Sequence, residues 1–419
     1  MTQQDFYTTS KVLDTMQEQN ILPTRTTPRP TSPRLPTAAR AAVAALFFVN
    51  GALVGTWVSR IPTIKTGLGL NDGVFGLALL MMAGGALVAM PLAGGLSARF
   101  GSHRVSQVLA LFFAALLPTL ALAPNLWTLL ALLGLIGVGH GGMDVSMNAQ
   151  SVAVQKRYPH SIMSSFHALF STGGLVGAAA GGWLAGRGLT PTAHFTLMAV
   201  AMGGVACLTF PHLLDDRHDH LGGSDAEAAG NAHPLFVRPT RALAVLGFLA
   251  FCAMVGEGAM ADWSALFLRR VSGSSEGMAA AGYAAFSVTM ALARFSGDAL
   301  INRLGPATLV RLGGGLALVG FLLALCLPQH PVAVFLGFAG VGLGLATVVP
   351  MAFAAAGRTP DMAAGLALAS VSTLGYLGFL LGPPLIGFAA EAMGLRNALF
   401  ILVGTSALVV ALAPSVRGK

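Results

Sequence analysis

A short polar stretch inside a long apolar segment carries residue types that could do chemistry. Residues 140–150 read HGGMDVSMNAQ, directly after the apolar run LWTLLALLGLIGVG. His140, Asp144 and Asn148 recur every fourth residue, so in a helix they share one face along about 12 Å of rise. A carboxylate that faces lipid costs at least about 2.5–3.5 kcal/mol, so this face must look into protein or water. The stretch predicts either a cavity wall, with Asp144 carrying a proton and its two neighbours contacting a ligand, or a structural polar network.

Two further apolar segments contain ionisable residues. Ser164 and His167 share a helical face, and because histidine titrates near neutral pH, His167 is a candidate for proton coupling and Ser164 for ligand contact. A buried, hydrogen-bonded histidine is the structural alternative. Glu257 is the deepest acid in the second half of the chain. Burial penalises the charged form of a carboxylate, so Glu257 is predicted to exchange protons at working pH or to bind a ligand.

The composition sets the class of protein that must position these residues. Of 419 residues, 55% are hydrophobic and 10% are charged, and the mean hydropathy is +0.73. A soluble domain carries about 25% charged residues, so this composition predicts a polytopic membrane protein. The net charge of +8 lies in the gaps between apolar runs, which indicates topology rather than nucleic-acid binding.

Twelve apolar runs are long enough to span a bilayer as helices, which predicts an all-α fold. The runs are 41–62, 73–97, 104–123, 127–154, 161–186, 192–213, 242–267, 278–302, 307–327, 331–356, 363–389 and 395–415. We therefore predict a cytoplasmic, disordered tail over 1–38, a six-helix bundle over 39–213, an inter-bundle loop over 214–240, and a second bundle with a short tail over 241–419.

Basic residues predict the orientation of the spans. If the first residue is cytoplasmic, 17 of the 24 Lys and Arg lie in inside segments and 6 lie outside or at span ends, with Arg294 within a span. Inside loops are normally the more basic ones. We expect a multi-pass protein of the inner membrane with both termini in the cytoplasm.

The two halves of the chain are internally similar. NGALVGTW at 50–57 matches EGAMADW at 257–263, GLIGVGHG at 134–141 matches GFAGVGLG at 337–344, and STGGLVG at 171–177 matches STLGYLG at 372–378. The near-constant offset predicts a duplicated six-helix unit. Parallel repeats of this kind suit a transporter whose site lies between the bundles near the midplane.

The repeat adds candidates and makes the site asymmetric. Leu343, Thr347 and Met351 occupy the positions equivalent to His140, Asp144 and Asn148, so the polar face is not duplicated. Asn50 lies opposite Glu257 in the repeat, and Tyr376 replaces Leu175. We interpret both as candidates to face a ligand.

Residues near the span ends could form gates. Asp262 is predicted either to contact the ligand or to pair with Arg60 at the outer gate, while Arg294 and Asp298, at i and i+4, are predicted to pair at the inner gate. Trp57 and Trp263 correspond in the repeat. Their tryptophan rings could belong to an aromatic belt or could stack on a ligand and attract an ammonium group.

One loop signature and several longer stretches resemble a known family. GGLSARFGSHRV at 94–105 resembles the G-x-L-x-D-R-x-G-R-R/K loop of the major facilitator superfamily, except that Ala98 replaces the acid, and the second half has Asn302 at that position. The stretches at 57–70, 141–149, 163–177, 257–269 and 375–387 are similar to the YbjJ/MosC-type branch, which is related to fucose permease. The resemblance covers about residues 40–415.

The resemblance implies a secondary active transporter that works by alternating access. It implies proton-linked movement of a small polar solute, which would be a sugar, a cyclitol or an amino-cyclitol such as a rhizopine. The expected partners are the solute, protons and membrane lipid, with the proton gradient as energy source, no cofactor or metal, no nucleic acid, and a monomeric chain.

Three alternatives remain at this stage. The first is proton-antiport efflux of a cationic or drug-like compound. The others are a transport-fold sensor and an intramembrane enzyme, although the sequence has neither a long cytosolic segment nor a nucleophile–base constellation. It also lacks a G-x-x-x-x-G-K-[ST] phosphate loop, so nothing indicates an ATP-driven pump.

Overall fold

The computed structural model describes residues 36–70, 72–215, 239–274, 276–360 and 362–417. Most of the predicted tail (1–35) and most of the predicted inter-bundle loop (216–238) lie outside these described residues. Thr37–Lys419 forms one compact unit, within which twelve helical spans are long and apolar enough to cross a membrane. The predicted all-α architecture of two six-helix bundles is therefore confirmed.

The helices follow the predicted runs with small shifts at their ends. The first bundle contains α1 (Thr37–Gly67), α2 (Asp72–Phe100), α3 (Ser102–Leu120), α4 (Leu126–Gln155), α5 (Met163–Gly186) and α6 (Pro191–Thr209). The second contains α7 (Arg241–Arg270), α8 (Glu276–Leu304), α9 (Pro306–Cys326), α10 (Pro331–Leu345), α11 (Val348–Ala356), α12 (Ala364–Met393), α13 (Leu395–Ala398) and α14 (Phe400–Leu412).

Local sequence explains where several helices begin. Asn125, Thr190 and Thr240 accept hydrogen bonds from backbone N–H groups three residues later and so cap α4, α6 and α7. The two signature loops turn at Gly101 (φ 86°) and Gly305 (φ 76°), where the backbone needs a residue without a Cβ atom. A glycine with positive φ thus follows the last residue of both α2 and α8, as the repeat predicts.

The tenth span is broken into α10 and α11 between Leu345 and Val348. Pro350 lies in the first turn of α11 and has no N–H group to donate to the carbonyl of Ala346, four residues earlier. That carbonyl accepts a hydrogen bond from Arg294 Nε at 3.3 Å instead. A proline in the sequence therefore frees a backbone acceptor for a charged side chain.

Glycines allow α1 and α5 to pack backbone to backbone. A Cβ atom on Gly173 would meet the carbonyl oxygen of Phe48, and one on Gly177 would meet that of Ala52. These two glycines of α5 therefore permit close packing against α1. This pair of helices forms much of the rigid wall that carries His167.

The two bundles contact each other near one end of the helices. We call this end the terminal face, because α1 begins there and α14 ends there. Gly94 of α2 lies against Gly365 and Ala369 of α12, and Val152 of α4 lies against Gly357 after α11. Ser164 Oγ of α5 donates to the carbonyl of Arg294 in α8 at 2.7 Å. These contacts close the terminal side of the space between the bundles.

Candidate functional site

A cavity of about 380 Å³ lies between the two bundles and is lined by four spans from each. Its polar lining residues are His140, Asp144, His167, Glu257, Arg294 and Tyr376. Its apolar lining residues are Phe47, Leu79, Met82, Ala83, Ala86, Phe170, Met254, Val349, Phe353 and Phe379. The cavity therefore has polar groups from both bundles set in a largely apolar and aromatic wall.

A buried ion pair dominates the second-bundle side. Arg294 NH2 lies 3.3 Å from Glu257 Oε2 and 3.4 Å from Oε1, and the two side chains are 11% and 16% exposed. Arg294 NH1 also donates to Ser171 Oγ of the first bundle at 2.7 Å. The guanidinium thus joins the acid of one bundle to the hydroxyl of the other.

The predicted Arg294–Asp298 pair is wrong. The Arg294 side chain points into the cavity toward Glu257, whereas Asp298 accepts hydrogen bonds from the backbone N–H groups of Ser164 (2.8 Å) and Ser165 (2.9 Å). These N–H groups belong to the first turn of α5 and have no acceptor within their own helix. Asp298 still takes part in closing the terminal face, but as a cap on the other bundle.

Asp144 faces the cavity from the first bundle and is 8% exposed. Asn148 lies behind it, fully buried, and donates to its carbonyl oxygen at 2.8 Å and to its Oδ1 at 3.3 Å. Among the described residues, no basic side chain forms an ion pair with Asp144. The predicted polar face therefore splits, with Asp144 on the cavity surface and Asn148 as support.

His140 is held between the bundles by two polar neighbours. Its Nδ1 lies 2.8 Å from Asn50 Oδ1, and its Nε2 lies 3.3 Å from the Tyr376 hydroxyl. His140 and Tyr376 line the cavity, whereas Asn50 is fully buried behind His140. The structure therefore brings together three predicted candidates but leaves only two of them on the cavity wall.

His167 lies between the rings of Phe47 and Phe353, with ring centroids 5.2 and 5.9 Å away. Its Nε2 is buried without a hydrogen-bond partner among the described residues. Ser164, predicted with it, is buried in the contact with α8 and does not line the cavity. His167 alone of this pair is placed to meet a solute.

The predicted pairing of Asp262 with Arg60 is wrong in this structure. Arg60 is buried, and it donates from Nε to His194 Nδ1 (3.1 Å) and from NH2 to the carbonyl of Leu189 (3.0 Å). Asp262 is exposed. The acceptors in its own bundle hold the Arg60 side chain away from the other bundle.

Neither predicted tryptophan lines the cavity. Trp57 is 1% exposed in the core of the first bundle, and Trp263 lies in a separate small cleft with Phe267 and Phe338. Their correspondence in the repeat thus indicates equivalent packing positions. The aromatic rings on the cavity wall are the predicted Tyr376 and four phenylalanines. The phenylalanines lie in uniformly apolar spans, where their positions did not distinguish them.

Arg294 reaches the cavity, although the sequence predicted a structural pair at the inner gate. It is the only Lys or Arg more than four residues from both ends of a predicted span, and intramembrane charges usually face an interior site. That signal pointed to the cavity, but the nearby Asp298 suggested a local pair instead. Among the described residues, no group of three or more His, Cys, Asp or Glu side chains could hold a metal ion.

The fold and the cavity define a class of protein: a multi-pass membrane transporter with a site between two repeated bundles. The family profile described as the Major Facilitator Superfamily matches residues 42–359 and 273–417. The chain belongs to the Major Facilitator Superfamily. It is accordingly a transporter and not an enzyme.

The chain is similar to curated relatives over nearly their whole length. It is 39% identical to the uncharacterized transporter y4wD of Sinorhizobium fredii over 376 residues, covering 90% of this chain and 97% of that protein. It is 38% identical to the membrane protein MosC of Rhizobium meliloti over 370 residues, covering 88% of each. The predicted resemblance to the MosC-type branch is confirmed.

A solved structure with the same fold is that of FucP. The crystal structure of FucP in the outward conformation aligns with a TM-score of 0.67 at 15% identity, covering 90% of this chain and 98% of FucP. A second FucP structure, titled as the E. coli fucose:proton symporter, aligns with a TM-score of 0.68 at 15% identity, covering 92% and 100%. At this identity the likeness establishes the fold alone.

Proposed function

We propose that this protein is a proton-coupled secondary active transporter of a small polar solute of the sugar, cyclitol or amino-cyclitol type. The observation that carries the proposal is the pair of acids that face one cavity from opposite bundles. Glu257 is paired with Arg294, whereas Asp144 has no basic partner in the part of the chain that the structure describes. The proton gradient supplies the energy, without a cofactor. The working unit is a monomer in the inner membrane, with both termini cytoplasmic.

The ion pair offers a route by which a proton changes contacts between the bundles. A proton on Glu257 removes the charge that holds Arg294, which also donates to Ser171 of the other bundle. A ligand shifts a conformational equilibrium only through a difference in affinity between states. The contact between Arg294 and Ser171 exists only in a state in which the two bundles are close at Arg294. Protonation of Glu257 should therefore differ in free energy between that state and one in which the bundles are apart there.

The composition of the cavity wall favours a solute that has both hydroxyl groups and apolar C–H surface. Six polar side chains can exchange hydrogen bonds with hydroxyl groups, while the phenylalanine rings can cover C–H surface. FucP, which shares the fold, is a fucose:proton symporter, and a polyol-like solute agrees with this likeness. An amine substituent on such a solute would find a carboxylate in Asp144.

The test uses purified protein in liposomes that contain a pH-sensitive dye. L-fucose, myo-inositol and an amino-inositol are added outside, and at least one should produce a solute-dependent pH change. Glu257→Gln and Asp144→Asn should abolish or reduce proton movement, because neither amide can carry a proton. The exposed Asp262→Asn is the matched control and should behave as wild type. Folded protein that moves no proton with any of these solutes, or unaltered proton movement in both cavity variants, would refute the proposal.

The apolar share of the wall favours a second candidate, proton-antiport efflux of a cationic, drug-like compound. Four phenylalanines and two methionines line the cavity beside Asp144, and a cation can bind both a carboxylate and aromatic faces. The discriminating measurement is competition in the same liposomes. Efflux of this kind predicts that a lipophilic cation such as tetraphenylphosphonium drives proton movement in the opposite direction and that polyols have no effect.

A further inference from the structure

A chain of three side chains runs from the first bundle to the second. Asn50 of α1 is fully buried and contacts His140 of α4, which in turn contacts Tyr376 of α12. The pairing of Asn50 with His140 lies within one bundle, whereas that of His140 with Tyr376 joins the two. The direction of each hydrogen bond decides what His140 can offer to a solute.

The contacts of Asn50 fix the tautomer of His140. Asn50 Nδ2 donates to the Met147 sulfur at 3.7 Å, which turns Oδ1 toward His140 Nδ1 at 2.8 Å. A carbonyl oxygen only accepts, so Nδ1 must carry the hydrogen. The reversed amide would place its N–H₂ group against the ring and its oxygen against the Met147 sulfur. Because a thioether sulfur cannot donate, the hydrogen bond to Met147 would be lost. In the neutral ring with Nδ1 protonated, Nε2 is an acceptor that faces Tyr376.

The two hydrogen bonds of His140 differ in length. The bond to Asn50 is short at 2.8 Å, while the Tyr376 hydroxyl lies 3.3 Å from Nε2. A hydroxyl donor usually lies about 2.5–3.0 Å from its acceptor, so the contact across the bundles is the loose one. His140 and Tyr376, the two residues of this longer contact, both line the cavity, where a solute can reach them.

We propose that one hydroxyl group of the solute binds between His140 Nε2 and the Tyr376 hydroxyl. It donates to the histidine and accepts from the tyrosine, and so replaces one long hydrogen bond with two of normal length. The inference rests on the proposed function and specifies a subsite within the same cavity. Because His140 and Tyr376 belong to different bundles, a bound hydroxyl links the two bundles across the cavity.

This subsite selects for a particular chemical group. A hydroxyl can donate and accept at once, whereas an ether oxygen or a carboxylate only accepts. Either replacement leaves the buried acceptor His140 Nε2 without a donor, which is costly. The subsite should therefore reject a solute in which this one hydroxyl is methylated.

Asn50 is a positioning residue in this arrangement, since it does not reach the cavity. Asn50→Asp keeps an acceptor opposite His140 Nδ1 and should preserve the tautomer. Asn50→Leu removes the acceptor and allows the Nε2-protonated tautomer, which can no longer accept from a solute hydroxyl. If Asn50 had only a packing role, Asn50→Asp and Asn50→Leu would not differ in the tautomer of His140.

The first experiment needs no solute. Nitrogen-15 NMR of protein labelled at histidine distinguishes protonated from unprotonated ring nitrogens, and His140→Gln identifies the signals of His140. Wild type and Asn50→Asp should show Nδ1 protonated and Nε2 unprotonated, and Asn50→Leu should show a mixture. Protonation of Nε2 in neutral wild-type His140 would overturn the assigned direction of the chain.

The second experiment measures binding of L-fucose, myo-inositol and their mono-O-methyl derivatives by ligand-induced thermal stabilisation. Wild type should reject methylation at one hydroxyl position, and Tyr376→Phe should bind the parent solute about tenfold more weakly, as expected for one lost hydrogen bond. Tyr376→Phe should still reject the methylated derivative, because methylation removes the bond donated to His140 Nε2, which this variant keeps. Tyr283→Phe is the matched control, because Tyr283 is 41% exposed and does not line the cavity.

The outcomes separate the two proposals. If wild type binds a parent solute and Tyr376→Phe binds it equally well, the hydroxyl subsite is refuted and the transporter proposal stands. If wild type binds none of these polyols, the proposed solute class fails, and the hydroxyl subsite fails with it whatever the tautomer.

Discussion

At the scale of single residues, the two acids that line the cavity have different partners. Glu257 has a guanidinium partner in Arg294, whereas Asp144 has only the amide of Asn148 beside its carboxylate among the described residues. A buried charge is tolerated when it is paired, and removal of one partner leaves the other uncompensated. The ion pair is thus a point at which a single substitution should affect stability as well as transport.

Glu257→Gln should destabilise the folded protein by about 3 kcal/mol, because it leaves the Arg294 guanidinium buried without a carboxylate. The measurement is the denaturation midpoint in detergent. Glu257→Gln combined with Arg294→Met removes both charges and should recover much of the lost stability. A double variant less stable than Glu257→Gln alone would contradict this account of the pair.

At the scale of helices, close backbone contact through glycine organises the first bundle. Gly173 and Gly177 of α5 lie against carbonyl oxygens of α1, while Gly182 of the same helix has nothing within 4 Å of where its Cβ atom would be. A methyl group at the first two positions must push the backbones apart. At Gly182 it meets open space and only improves helix propensity.

Gly177→Ala should therefore lower stability by about 1–3 kcal/mol, as overpacking does elsewhere. Gly182→Ala, on the same helix, should be at or slightly above wild-type stability. Thermal denaturation followed by size-exclusion chromatography compares the two. Equal behaviour of the two variants would show that the contact between α1 and α5 is looser than the structure indicates.

At the scale of the whole molecule, the cavity is closed on the terminal side by direct contact between bundles. Gly94 and Ser97 of α2 lie against Gly365 at the start of α12, and Asp298 of α8 caps the start of α5. Alternating access requires these contacts to open and the cavity to be reached from that face. Among the described residues, α2 and α12 share no ion pair that must be broken.

A disulfide between Ser97→Cys and Gly365→Cys should lock this closure. A Cβ atom on Gly365 would lie 3.0 Å from Ser97 Cβ, and a shift of about 0.5 Å brings the pair into the usual disulfide range. Oxidation should stop uptake of the transported polyol into liposomes, and a reducing agent should restore it. Each single-cysteine variant is the control, and uptake that continues in fully cross-linked protein would exclude opening at this contact.

The sequence by itself determined the twelve spans, their division into two repeated bundles, and most of the acids and histidines that reach the cavity. These follow from local rules, because a long apolar run must span the membrane and a charge within it must face an interior. Asp144, His140, His167, Glu257 and Tyr376 were predicted in this way and all line the cavity. Their roles in coupling and binding stay predictions.

Only the tertiary structure decided which side chains are partners. Spacing along one helix fixes the face of a residue but not the neighbouring helix that meets it, so the sequence suggested Asp298 for Arg294 and Arg60 for Asp262. The folded chain pairs Arg294 with Glu257 and Arg60 with His194 instead. Contacts between segments distant in sequence depend on how whole helices pack, and that packing also turned Asn50 from a ligand candidate into the residue that orients His140.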